Sequence, residues 1–204
     1  MKPYRANPVA TEIPAFVEAA NHRLMKRMAV ISVATSTLFF FATTFTGTSD
    51  SIAKMVAGYV PAVDKLMTLS TEIGSVPGRF FSLAILVSPI YLIWLLWGED
   101  PLLRIQYSAA KRGGGSVGAI IFAYAILLPF FILILTICLV APFDVSDAPN
   151  LWGQHVFYWM LNSYIGLLCI GTLLFLGLLI FAFMVALLVW LPFMKLYRLA
   201  KGSR

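Results

Sequence analysis

From Ala148 to Met194 the chain carries no Asp, Glu, Lys or Arg. If Phe157 to Met194 formed one helix, it would be roughly 57 Å long at about 1.5 Å per residue, well beyond a hydrocarbon core of roughly 30 Å. The stretch must therefore be divided. One division places a short interfacial helix at 151–161 before a single long, tilted span that starts near Ser163. The other folds the run into two spans hinged near Gly166 or Gly171.

Three earlier apolar runs are simpler. The first, 28–46, follows Arg23, Lys26 and Arg27 and meets no charge before Asp50. It is too long for a secretory leader and lacks a small-residue cleavage site, so it reads as a retained helix. The second, 80–97, is bounded by Arg79 and Glu99-Asp100, and the third, 117–140, by Lys111-Arg112 and Asp144. Pro89 and Pro129 fall inside the second and third. Proline is tolerated in lipid where a hydroxyl or a neighbouring helix satisfies the carbonyl it frees, so both helices are expected to kink. Composition agrees: 60% of residues are hydrophobic and 12% charged, against roughly 45–50% and about 25% in a soluble domain.

Charge chooses between the two divisions. Lys and Arg number five before the first span, three between the first and second, three between the second and third, none between the third and fourth, and four at the end (Lys195, Arg198, Lys201, Arg204). With four spans, twelve of the fifteen lie on one side. Short basic loops stay in the cytoplasm, whereas a fifth span would export the four terminal charges. The expected fold is an all-α integral membrane protein, a four-helix bundle with both termini cytoplasmic. Its segments are a cytoplasmic amphipathic stretch 1–27, spans 28–46, 80–97, 117–140 and 163–194, outer loops 47–79 and 141–162, an inner loop 98–116 and a basic tail 195–204. Interfacial aromatics match this topology, with Trp94, Trp97, Trp190 and Tyr197 at the inner boundary and Trp152, Tyr158 and Trp159 at the outer.

The connecting segments are amphipathic. Ile13, Phe16, Val17, Ala20 and Leu24 share one helical face, and Arg23, Lys26 and Arg27 can hold this helix against anionic lipid or a cytoplasmic partner. Outside, Ile52, Met55, Val56, Tyr59, Val60, Val63, Leu66 and Met67 form a second stripe, expected to lie on the leaflet or on a partner. The inner loop reads as a short helix from Glu99-Asp100-Pro101 to Lys111-Arg112, stopped by Gly113-Gly114-Gly115, with Ser116 capping the third span. Its Lys-Arg-Gly-Gly-Gly lacks the spacing of a phosphate-binding loop.

No span so defined contains Asp, Glu, Lys, Arg or His, which removes the usual parts of proton-coupled carriers, voltage sensors and intramembrane aspartyl or zinc proteases. What remains is small and neutral. Ser32, Thr35, Ser36, Thr43 and Thr46 gather near one face of the first span and, with Gly166 and Gly171, read as a helix-packing seam. Gly177 also reads as a contact or flexibility point. Asn162-Ser163 reads as a bend or a bond to a neighbouring helix. Asp144, Asp147 and His155 are the one set with metal-ligand chemistry, but acidic outer loops follow from topology alone, and no metal or cofactor is expected. Cys138 and Cys169 lie in apolar runs and read as packing residues. A net charge of +6 gathered beside the spans is a topology signal, with no nucleic-acid surface implied.

The expectation is a non-catalytic, multi-pass inner-membrane subunit that packs on other membrane proteins in a secretion, transfer or bioenergetic assembly. Its interface residues are Phe16, Leu24, Arg23, Lys26, Arg27, Tyr59, Lys111, Arg112, Trp97 and Trp190. Its partners are lipid and other integral membrane proteins, with homo- or hetero-oligomers compatible. A channel, carrier or toxin-immunity protein is the alternative reading, and an enzyme working through Asp144, Asp147 and His155 the third.

Overall fold

A computed structural model describes residues 15–69, 71–97, 123–140 and 152–202. Within them all regular structure is helical. Three helices are long and apolar enough to cross a membrane, His22–Thr44, Val76–Leu96 and Tyr164–Trp190, and Tyr124–Val140 is a shorter apolar helix. The chain is a membrane protein built from these rods.

The first helix, α1 (Ala15–Thr44), is unbroken, so the described part of the amphipathic segment and the first span form one rod, while Ile13 lies outside the described residues. It contains neither Gly nor Pro, and at about 1.5 Å per residue it runs roughly 45 Å, more than a bilayer core requires. Two short helices follow, α2 (Thr46–Ala57) and α3 (Pro61–Thr68). Val60 is extended, as a residue before proline prefers, and Pro61 opens α3 where its missing N–H costs nothing. The buried residues Val56, Val63 and Leu66 turn α2 and α3 onto α4 (Val76–Leu96). Burying a side chain of this size from water contributes about 1.5–3 kcal/mol. The stripe expected to meet lipid or a partner is thus largely covered by the chain's own α4, and Met55 and Tyr59 are its exposed members.

The second span begins earlier than the sequence indicated. Arg79 was expected to mark its boundary, but α4 starts at Val76 and takes Arg79 into its first turn. Every residue from Val76 to Ala84 is buried. A helix at the edge of a bundle would bury only one stripe, so this half of α4 is the centre of the fold, enclosed by α1, α2, α3 and the last helix.

A π turn (Ala123–Leu127) leads into α5 (Leu128–Val140), and α6 (Trp152–Asn162) precedes the last rod, α7, which comprises Tyr164–Gly166, a π turn (Leu167–Gly171) and Thr172–Gly202. Only Ser163 interrupts the helix between Trp152 and Gly202. The apolar run divides there, as a short helix followed by one long rod, with a π turn at the alternative hinge position, Gly171.

Ring and side-chain contacts fix the directions. Arg27 meets the end of α4 and Phe39 packs on Phe80, so α1 and α4 are antiparallel. Tyr91 packs on Phe175, while Ile31, Leu95, Leu179 and Phe183 share one buried cluster, so α7 runs parallel to α4. Tyr124 bonds to Leu188 and Phe131 packs on Phe181, so α5 is antiparallel to α7. One end of the bundle, the basic end, therefore holds Arg27, the end of α4 and the start of α5. The opposite, capped end holds α2, α3 and α6.

The three prolines inside these rods are each accommodated locally. Pro89 frees the Ile85 carbonyl, and the Ser88 hydroxyl donates to it at 2.8 Å. Pro192 frees the Leu188 carbonyl, and the Tyr124 hydroxyl of α5 donates to it at 2.8 Å. Pro129 would orphan Ala125, which lies in the π turn Ala123–Leu127, the kind of local adjustment by which a membrane helix re-pairs its backbone around proline.

Candidate functional site

Two places hold side chains whose chemistry goes beyond filling space, one at each end of α4. At the basic end the last carbonyls of α4 have no intrahelical partner, as at any helix terminus. Arg27 of α1 reaches across and donates through one Nη to the carbonyl oxygens of Trp94 at 3.0 Å, Leu95 at 3.3 Å and Trp97 at 2.5 Å. Its guanidinium also lies 5.9 Å from the Trp94 ring centroid. A cation at a helix C-terminus meets the negative end of the dipole and an aromatic face together. Around it Trp94, Trp97 and Trp190 are exposed, and so are Arg23 and Lys26. Leu24 packs against the cluster of Ile31, Leu95, Leu179 and Phe183, so this interface residue has an intramolecular face.

At the capped end α3 and α4 touch almost backbone to backbone. A Cβ added to Gly78 would stand 2.6 Å from Met67 Sδ and 3.0 Å from the Met67 backbone nitrogen. Beside Gly78, Arg79 retains only 8% of its accessible surface, and its Nε has no hydrogen-bond partner. Gly78 did not stand out in the sequence, and Arg79 read only as the limit of a span. Ser-Val-Pro-Gly-Arg reads equally well as a turn before a span, although proline at the second helical position was a legible start signal. An open groove on the cap is lined by Lys54, Ala57, Gly58, Asp64, Met67 and Thr68 and shares Met67 with this contact.

The corner between α6 and α7 is closed by Ser163, whose Oγ accepts the Gly166 N–H at 3.3 Å. Asn162 Oδ1 accepts the Glu72 N–H at 2.9 Å, tying α6 to the turn before α4, and Asn162 Nδ2 donates to Tyr158. Gly166 lies directly on the Trp159 carbonyl. Gly171 faces Phe80, whose Cε1 would stand 3.3 Å from an added Cβ.

The hydroxyl seam divides. Thr35 is buried, Thr43 and Ser32 are half-buried, and Ser36 and Thr46 are exposed. Thr35 donates to the Ile31 carbonyl at 2.8 Å, Ser36 to Ser32 at 3.3 Å and Thr43 to Phe39 at 3.2 Å. Each of these three hydroxyls finds an acceptor within its own helix, and Thr35 also hydrogen-bonds to Tyr91 of α4. Tyr59 is 86% exposed at the tip of the cap. Phe16 belongs to α1. Lys111, Arg112, Asp144, Asp147 and the inner-loop helix expected from Glu99 lie outside the described residues, and His155 is exposed on α6.

These contacts describe a packed membrane bundle in which the buried Arg79 makes no ion pair with any described residue, and comparison adds no relative to it: no family model, curated protein or solved structure matches the chain.

Proposed function

We propose that the chain is a four-span, non-catalytic inner-membrane subunit, with the basic end and both termini cytoplasmic, that packs on other integral membrane proteins. The observation that carries this reading is α5. It is an apolar helix without one buried residue, it lies along α7 and touches α3, and it leaves Phe130, Leu133 and Ile137 exposed. A rod held on one side leaves a bilayer-facing strip that a second protein can cover by van der Waals contact. The antiparallel and parallel pairings support the four-span topology, because they bring the segments carrying Arg23, Lys26 and Arg27 and those leading to Lys195 and Arg198 to the same end. Hydroxyls bonded within their own helix favour packing over a wetted path.

The test uses single cysteines in a chain with Cys138 and Cys169 changed to alanine. Tyr59→Cys is expected to react with a membrane-impermeant maleimide from outside intact cells, and Arg204→Cys only after permeabilisation. A photo-crosslinker on Leu133→Cys is expected to yield a discrete protein adduct in native membranes. Reversed labelling overturns the topology, and adducts to lipid alone overturn the subunit reading.

A further inference from the structure

Arg79 presents a charge that the described fold does not offset. Burying a guanidinium costs several kcal/mol unless an anion and hydrogen bonds compensate it. Yet Arg79 is more than nine-tenths buried, makes no ion pair with any described residue, and leaves its Nε without a partner. The exposed Glu72, in the turn before α4, does not pair with it. Its position compounds the cost. A cation in the first turn of a helix faces the positive end of the dipole, and α4 is 21 residues long.

The same turn has donors to spare. Ser75 gives no side-chain cap, Pro77 has no N–H, and among the described residues no backbone acceptor takes the N–H of Val76 or Gly78. Helical side chains lean toward the N-terminus, so Arg79, the fourth residue of α4, leans toward this end of the helix. Two free amides, a helix N-terminus and a guanidinium together make a receptor for an oxyanion. The turn also has the position expected of headgroup depth. It opens a helix of membrane-crossing length, at the end of the bundle where Tyr158, Trp159 and Tyr164 are exposed as an interfacial aromatic belt.

We propose that Arg79 and the first turn of α4 bind a phosphate oxyanion, supplied by the headgroup of an anionic phospholipid in the leaflet at the capped end. The groove lined by Lys54, Asp64 and Met67 lies beside this turn, Met67 being the residue that touches Gly78.

The test is thermal unfolding of the full-length protein, delipidated in neutral detergent, with phosphatidylglycerol, phosphatidylcholine or inorganic phosphate added. Phosphatidylglycerol is expected to raise the wild-type midpoint by about 4–8 °C, phosphatidylcholine by less, and inorganic phosphate hardly at all. Arg79→Gln is expected to lose the rise, while Arg23→Gln, at the opposite end, keeps it. Without lipid, Arg79→Met is expected to melt no lower than wild type, because an uncompensated charge has been replaced by apolar volume. A lipid shift that persists in Arg79→Gln, or an Arg79→Met protein that melts well below wild type, overturns the proposal. So does an equal rise with inorganic phosphate, which assigns the site to a free anion. Loss of a co-purifying protein from Arg79→Gln with lipid retained also overturns it, and names a partner's carboxylate instead.

Discussion

Gly166→Ala is expected to destabilise the protein by about 3 kcal/mol, at the upper end of the usual cost of overpacking, a fall of roughly 6–12 °C in the unfolding midpoint. The reason is what the new methyl group would strike. It would sit against the carbonyl oxygen and carbon of Trp159 and the Cα of Met160. These are backbone atoms of α6, and unlike the end of a flexible side chain they cannot step aside alone. Moving them pulls on Met160 and Leu161, both buried in the cluster around Phe80 and Phe81, and on the Asn162 bond to the Glu72 amide. Gly177→Ala is the internal comparison. Nothing lies within 4 Å of a Cβ there, so the change should be neutral, or stabilising by up to about 1 kcal/mol from helix propensity alone. Equal midpoints for the two variants would show that the α6–α7 corner does not depend on this approach.

How far the sequence carries toward this fold depends on whether a feature is dictated by the bilayer or by the neighbours of a residue. The apolar rods are dictated by the bilayer, because a charge-free run long enough to cross lipid has few other folded outcomes. The division near Ser163 was one of two readings, and Asn162-Ser163 already held the chemistry that makes it: an amide to tie α6 down and a hydroxyl to cap the next turn. The stripe from Ile52 to Met67 was legible as a covered face, but periodicity says only that a face is buried, not against what. Its cover is α4, which no local pattern names. Arg79 was misplaced for a related reason. A charged residue was taken as the limit of a span, yet the helix starts three residues before it and the surrounding helices enclose it. The Tyr124 bond to Leu188 spans 64 positions. It becomes visible only once α5 and α7 are known to be antiparallel, when the phenol falls beside the carbonyl that Pro192 leaves open.

Arg27→Gln is expected to cost about 2 kcal/mol, the range for charge-assisted hydrogen bonds at a helix terminus. Screening at this half-exposed position moderates the charge contribution. Three carbonyls at the end of α4 would lose their shared donor, and the Trp94 ring would lose its cation. Water can reach exposed carbonyls such as those of Trp94 and Trp97, so the loss stops short of that for a sealed interior. Lysine should restore part of the effect: its ammonium supplies charge and donors but not the planar group that lies over the indole. The order wild type, Arg27→Lys, Arg27→Gln in unfolding midpoint is the expected signature, with Arg23→Gln close to wild type because Arg23 is exposed and makes no such bond. If Arg27→Gln and Arg23→Gln unfold together, the guanidinium contributes only to the positive field at that end, and α1 is held to α4 by side-chain packing such as that of Ile31 with Leu95 and Phe39 with Phe80. If they separate, the same residue that signals topology through its charge also locks the first two long helices together, since a cation held at the membrane boundary by the C-terminus of a neighbouring helix fixes the depth of both.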